Sequence, residues 1–221
     1  MSERKAIIPG EVIVSGDKYL PGEGTEKRGK DIVSIKYGLA EESKGLVKVI
    51  PLSGIYQPRR GNVVIGKVEM LTFNGWVIDI GLIDNAFLSV AEVPRYVNKN
   101  NLDEVLDMKE MVIAKISDVN RKGSDLTIKG GGLGRIDKGI IIEVNSNKVP
   151  RIIGKEGSMI NLIKDETGCN ITVGQNGLIW ISGDKIENEL LAKKAVYFIV
   201  EKSYVEGLTD EVKKWFAKEK K

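Results

Sequence analysis

The stretch Arg151-Ile152-Ile153-Gly154-Lys155-Glu156-Gly157 decides the reading of this chain. An apolar pair runs into a Gly-x-x-Gly turn centred on Lys155-Glu156, and an amphipathic segment follows at once. Glycines at both ends allow a tight turn and a close approach by a partner, which a side chain would block. A helix opening just after the turn directs its first backbone N–H groups outward, where they favour negative charge. The stretch points to nucleic acid rather than to catalysis.

Reading outward from the turn, 139–144 predicts a strand and 148–153 a short helix after a turn. Residues 158–167 predict a helix, with Met159, Ile160, Leu162 and Ile163 apolar and Gly168 at the stop position. Strands at 170–173 and 178–181 are joined through Gly174-Gln175-Asn176-Gly177. A long helix over about 185–203 carries Leu191, Ala195, Phe198 and Ile199 on one side and Glu187, Lys194 and Glu201 on the other. Thr209-Asp210-Glu211, followed by Lys213 and Lys214, predicts one further capped helix.

Upstream, Gly130-Gly131-Gly132-Leu133-Gly134 reads as a hinge-like linker. Before it, 57–130 opens on the linker Pro58-Arg59-Arg60-Gly61 and predicts strands at 63–70, 76–80, 86–90, 111–116 and 125–129. Phe73-Asn74-Gly75-Trp76 places Asn-Gly where a tight turn needs positive φ. The polar connection Asn98-Lys99-Asn100-Asn101 and a turn over 118–124 complete the content of a five-stranded OB-type barrel. Residues 1–56 alternate short apolar runs at 11–14, 31–37 and 46–50 with Gly/Pro clusters, the pattern of a small all-β module. Pro21-Gly22-Glu23-Gly24 resembles a phosphate loop only superficially, because no Gly-Lys-Ser/Thr follows, and a plain turn is expected. The fold class is thus multidomain β plus α/β.

Composition removes whole classes of function. The chain has no histidine, which excludes Ser-His triads, imidazole bases and His-ligated metals. Its single cysteine, Cys169, cannot form an intrachain disulfide or a zinc knuckle and is expected to be a small buried hydrophobe. The net charge of +3 is too small to act as a general basic field, so any RNA contact must come from local clusters. Hydrophobic residues make up 42% of the chain, enough for a real core, and no apolar stretch of signal or membrane length appears. A cytoplasmic protein without cofactor or membrane attachment is expected.

These residues resemble a known family. Val64-Ile65-Gly66-Lys67-Val68 with Phe73-Asn74-Gly75-Trp76-Val77 resembles the opening of the ribosomal S-one RNA-binding module. Arg151-Ile152-Ile153-Gly154-Lys155-Glu156-Gly157 resembles the core of a KH domain, which clamps nucleotides by their backbone. An N-terminal β module (1–56), an S-one barrel (57–130) and a βααββα KH domain with a C-terminal helix (135–221) together look like the RNA-binding cap subunit of the archaeal exosome. That subunit is the relative of eukaryotic ribosomal-RNA-processing protein four. The module order is more specific than either motif. The resemblance implies a non-catalytic subunit, three copies on a ring of phosphorolytic nuclease subunits, passing single-stranded RNA inward for 3′-to-5′ degradation and processing. The N-terminal module would dock on that ring.

Carried onto this chain, the resemblance makes Phe73 and Trp76 candidates for stacking on bases, with barrel plugs as the alternative. Lys67, Arg121 and Lys122 are candidates for phosphate contact. Ser89, Asn120 and Ser124 stand where many S-one modules have a histidine, an aspartate and an arginine, which implies weaker and less sequence-specific binding. In the KH turn, Arg151, Gly154, Lys155 and Gly157 are the candidates, while Glu156 suits a helix start but repels phosphate. The turn is therefore either an RNA contact or structural. Two other functions are open: a nuclease built on Asp79, Asp84, Glu92, Asp165 or Glu166, and a free-standing S-one/KH factor of translation or transcription. The five carboxylates lack a metal-site spacing, and no metal or catalytic residue is expected.

Overall fold

The computed structural model describes residues 5–95, 101–121, 123–203, 205 and 207–219. The chain forms two compact units, Met1–Ile55 and Tyr56–Lys221.

The first unit contains β1 (Lys5–Ile7), β2 (Val12–Ser15), β3 (Leu20–Pro21), β4 (Thr25–Arg28), β5 (Asp31–Ser34), β6 (Gly38–Ser43) and β7 (Leu46–Pro51). They make two sheets, ordered β1-β6-β7-β3 and β2-β5-β4. Ile7, Ile32, Val33, Ala40, Val47 and Val49 are buried, and the Thr25 hydroxyl of one sheet donates to the Val47 carbonyl of the other at 3.0 Å. The β-rich character expected of this segment is present, with strands that periodicity did not reveal. Three of the four residues of β4, Thr25-Glu26-Lys27-Arg28, are exposed and polar, so it carries no apolar alternation to read. Leu20–Pro21, inside the expected turn cluster, pairs in parallel with β7.

The second unit opens with β8 (Val63–Thr72), β9 (Gly75–Asp79), β10 (Ala86–Ser89), β11 (Met111–Asn120), β12 (Gly123–Thr127) and β13 (Gly134–Arg135). The order β12-β10-β9-β8-β11, closed by pairing of β11 with β12, is a five-stranded barrel, with only the start of β8, Val63 to Gly66, lacking a β9 partner. Inward residues alternate along β9, β10 and β12: Trp76 and Ile78, Ala86 and Leu88, and Ser124 and Leu126 are all buried. The loop between β8 and β9 is Phe73-Asn74, since Thr72 pairs with Gly75. Gly75 is required because a Cβ there would lie 2.0 Å from the Leu88 carbonyl oxygen, and not only for a turn conformation. Residues Gly134–Arg135 pair with β11, and the Ile136 N–H donates to the Met111 carbonyl at 2.9 Å. The glycine run expected as a hinge is therefore tied down at its end as a strand.

The remainder is β14 (Ile140–Glu143), α1 (Val149–Ile153), α2 (Ser158–Thr167), β15 (Asn170–Val173), β16 (Leu178–Ser182), α3 (Ile186–Glu201) and α4 (Leu208–Glu219). The antiparallel sheet β14-β16-β15 and the helices bury one core, from Ile152 and Ile163 through Ile179 and Ile181 to Ala195 and Ile199. This is the expected βααββα order. Gly168 stops α2 at φ 67°, its N–H donating to Lys164. Cys169 is buried as expected, and burial above all pushes its thiol pKa up. α4 buries Leu208, Val212 and Phe216, and Trp215 stacks on Phe198 of α3 at 5.5 Å.

The barrel and the α/β module meet through the turn Gly174-Gln175-Asn176-Gly177. The Asn176 amide nitrogen donates to the carbonyls of Ile65 (2.7 Å) and Ile80 (3.0 Å), and its oxygen accepts from the Ile65 N–H (3.2 Å). The Gln175 N–H donates to the Val63 carbonyl at 2.7 Å.

Trp76 is closed off inside the barrel, its indole N–H donating to the Leu106 carbonyl at 2.8 Å. Trp76→Ala is expected to cost about 3–5 kcal/mol of unfolding free energy, read from chemical denaturation. A loss below about 1 kcal/mol would remove the ring from the core.

Candidate nucleic-acid interface

A β-strand points successive side chains to opposite faces, so the barrel's outer surface follows from its register. With Trp76 and Ile78 inside, Val77 and Asp79 face out from β9; with Ala86 and Leu88 inside, Phe87 and Ser89 face out from β10. Phe87 stands opposite Val77 on one side and Asp125 of β12 on the other. Its ring borders a cleft of about 440 Å³ that is also lined by Asn85, Asn120, Arg121 and Asp125. Within this cleft the Asn120 amide donates to the Asp125 carboxylate at 3.1 Å. Asn85 is held from the rim by Glu69 at 3.0 Å.

Phe73 lies in the β8–β9 loop and is 73% exposed. The Gly75–Ser89 pairing and the Val90 N–H to Asn74 carbonyl bond (3.0 Å) place that loop at the far end of β10 from the cleft. The two outward aromatic rings are thus separated along a strand pair that spans about 10 Å. Phe87 was not singled out from sequence. The signal was available: in Ala86-Phe87-Leu88-Ser89, alternation puts Phe87 opposite in facing to Ala86 and Leu88. Trp76 corrects the stacking expectation in the other direction, because the same alternation turns it inward. Its ring offers no face to a base.

Lys67 is exposed on β8, with Asp79 as its cross-strand neighbour. Arg121 is exposed at the tip between β11 and β12, on the rim of the cleft. Lys122 lies outside the described residues. Ser89 accepts the Ala91 N–H at 3.3 Å and caps the short 3-10 turn Val90–Glu92, while Ser124 is buried.

The turn between α1 and α2 is built around two glycines with different reasons to be glycine. Gly154 has φ 74°, and a Cβ there would lie 2.7 Å from the Met159 Cβ and 2.8 Å from its backbone nitrogen. Gly157 has φ 80°, but a Cβ there would meet only ordinary contacts, the nearest at 3.6 Å. Glu156 between them takes the left-handed conformation (φ 53°, ψ 28°), which costs an L-residue roughly 1–2 kcal/mol. Arg151, Lys155 and Glu156 are exposed. No side chain caps α2 at Gly157, and the N–H of its first residue, Ser158, donates to the Lys155 carbonyl within the turn.

The carboxylates considered for metal catalysis are dispersed. Asp79 accepts the Gly81 N–H at 2.7 Å, and Glu92 faces Lys129 at 3.8 Å. Among the described residues no three carboxylate or cysteine side chains cluster as a metal site, and no helix is long and apolar enough to cross a membrane.

A closed five-stranded OB-type barrel, joined through the Gly174–Gly177 turn to a βααββα module with a Gly-x-x-Gly turn, defines a modular protein of the barrel-plus-KH class. The KH domain family matches residues 139–198. Exosome complex component Rrp4 of Methanobrevibacter smithii is 39% identical over 214 residues, covering 96% of this chain and 71% of that protein. The same component of Nitrosopumilus maritimus is 37% identical over 220 residues, covering 98% and 97%. A crystal structure described as an exosome complex RNA-binding protein superposes with a TM-score of 0.68 at 33% identity, covering 76% of this chain and 98% of that one. The chain belongs to the Rrp4 family of exosome complex components.

The unequal roles of the two glycines are measurable. Gly154→Ala is expected to lose about 2 kcal/mol or more, from strain and overlap together, and Gly157→Ala about 1 kcal/mol from strain alone. Thermal unfolding of both variants checks the order; equal losses would contradict the steric account.

Proposed function

We propose that this chain is a non-catalytic, RNA-binding component of an exosome complex. It takes up single-stranded RNA and hands it to a separate ring of phosphorolytic nuclease subunits that degrades and processes RNA from the 3′ end. Three copies sit on each ring, in the cytoplasm. The reading divides the chain into a docking module (1–56), the S-one barrel (57–130) and the KH domain (135–221). The observation that carries it is the barrel's outer face, where Phe73 and Phe87 present rings on either side of an outward-facing strand pair and Arg121 stands at the cleft rim. Aromatic rings stack on any base and cations follow the phosphates, so such a face suits a strand whose sequence varies as it passes.

The KH turn adds a second contact. Lys155 and Arg151 attract the RNA backbone and Gly154 and Gly157 let it approach, while Glu156 moderates the attraction. In the first unit, Ile8, Val12, Leu20 and Ile35 are exposed apolar residues that support a docking role for that module. The free-standing factor is not favoured, since the relatives matched over nearly their whole length carry the exosome name.

Phe73→Ala and Phe87→Ala are each expected to weaken binding of single-stranded RNA by about 1–3 kcal/mol, read by fluorescence anisotropy, with little change in unfolding temperature. Unchanged affinity in both would remove the barrel face from the RNA path. Affinity purification from the source cells should recover phosphorolytic nuclease subunits, and native mass measurement should give three copies of this chain per ring. The purified chain alone, with magnesium or phosphate, should leave RNA intact.

A further inference from the structure

Phe87 of β10 and Asp125 of β12 are register partners in a parallel pair. Neighbouring strands lie about 4.8 Å apart, so the two side chains leave the barrel side by side. Phe87 points outward because Ala86 and Leu88 are buried, and Asp125 does so because Ser124 and Leu126 are buried. Both line the cleft of about 440 Å³ on this face. A base lying on the Phe87 ring therefore brings one of its edges to the Asp125 carboxylate.

The polarity of that edge contact is one-sided. The Asn120 amide nitrogen donates to Asp125 Oδ2 at 3.1 Å, and the Asn85 amide nitrogen donates to Glu69 at 3.0 Å. The donor ends of both asparagines in the cleft are thus turned to carboxylates. An ionised carboxylate only accepts, and its two oxygens offer about four lone-pair sites, so the bond from Asn120 leaves acceptor capacity on both. The bases answer such a group differently. Guanine carries two adjacent donors, N1–H and the N2 amino group, on its Watson–Crick edge. Adenine and cytosine carry one amino group beside an acceptor nitrogen, and uracil carries N3–H between two carbonyl oxygens. Only guanine meets both carboxylate oxygens with a hydrogen; each of the others sets a lone pair against one of them.

We propose that the cleft beside Phe87 is a guanine subsite. Phe87 stacks on the base, the Asp125 carboxylate accepts from N1–H and N2–H, and Arg121 at the rim meets a phosphate. Asp125 is the specificity-determining residue. It favours guanine by two charge-assisted hydrogen bonds and disfavours the other bases by repulsion, the two halves of a specific site. The proposal rests on the RNA reading of the barrel face and deepens it. A strand of any sequence still passes, because stacking does not depend on the base, and a guanine within it dwells longest.

The test uses the full chain and single-stranded RNAs of about ten nucleotides, within the span of one OB-type barrel. One strand is all uridine; the others differ from it at one central position, which is guanine, adenine, cytosine or inosine. By fluorescence anisotropy, the guanine strand is expected to bind about tenfold more tightly than the all-uridine strand and about threefold or more tightly than the adenine and cytosine strands. Inosine keeps N1–H and lacks the N2 amino group, so its strand should fall between guanine and uridine. Asp125→Asn keeps the shape of the side chain and sets an amide against the base, and should bring all these ratios within about twofold. Circular dichroism checks that the variant is folded. Equal affinity for the guanine, adenine and cytosine strands, or a guanine ratio that Asp125→Asn leaves unchanged, overturns the proposal and leaves the RNA reading standing. Failure of the unsubstituted chain to bind any of the strands overturns the RNA reading itself, and the subsite with it.

Discussion

The second unit depends on a partner for the unpaired stretch of β8. A barrel strand that outruns its neighbour leaves backbone donors and acceptors without a ladder, and burying them unpaired would cost about 1–3 kcal/mol each. Here the Asn176 amide and the Gln175 N–H take the place of the missing strand. The consequence reaches well past local satisfaction. Because the groups come from another module, the barrel cannot complete its own hydrogen bonding without holding the KH module in one place. The end of β13 on β11 adds the second point. Two small modules joined by a glycine-rich stretch then behave as one body.

Facing is the constraint that shapes the candidate RNA surface. Closure of the barrel fixes a register, and a period of two means that a one-residue change of reading moves a side chain from core to solvent. Trp76 and Val77 differ in this way, and so do Phe87 and Leu88. The barrel fills its centre with the tryptophan, whose N–H finds the Leu106 carbonyl, and turns a phenylalanine outward beside Arg121. The aromatic surface is thus distributed differently from the Phe73 and Trp76 pair that the sequence brings to mind. It comprises one ring on the β8–β9 loop and one on β10.

The Gly154–Gly157 turn is shaped by packing at one glycine and by backbone conformation at the other. Gly154 is compelled by the start of α2, where Met159 leaves no room for a Cβ. Glu156 accepts left-handed strain with its carboxylate in solvent, next to Lys155.

The sequence by itself determined the βααββα pattern and the five-stranded barrel, because hydrophobic period and Gly/Pro punctuation are local properties, and the resemblance of its motifs to known modules pointed to the family. Helix α2 and its glycine stop were legible because capping is local chemistry. Only the tertiary structure decided which aromatics face solvent, since facing depends on strand pairings between residues far apart in sequence. It also decided that the glycine run ends in a tied strand at Gly134–Arg135, and that Asn176 serves a barrel whose first strand lies more than a hundred residues earlier. Gly174-Gln175-Asn176-Gly177 reads as an ordinary hairpin turn until β8 is seen to lack a neighbour. Strand β4 stayed hidden for a related reason: a polar strand is stabilised by its ladder to β5, and that ladder exists only once the chain has folded.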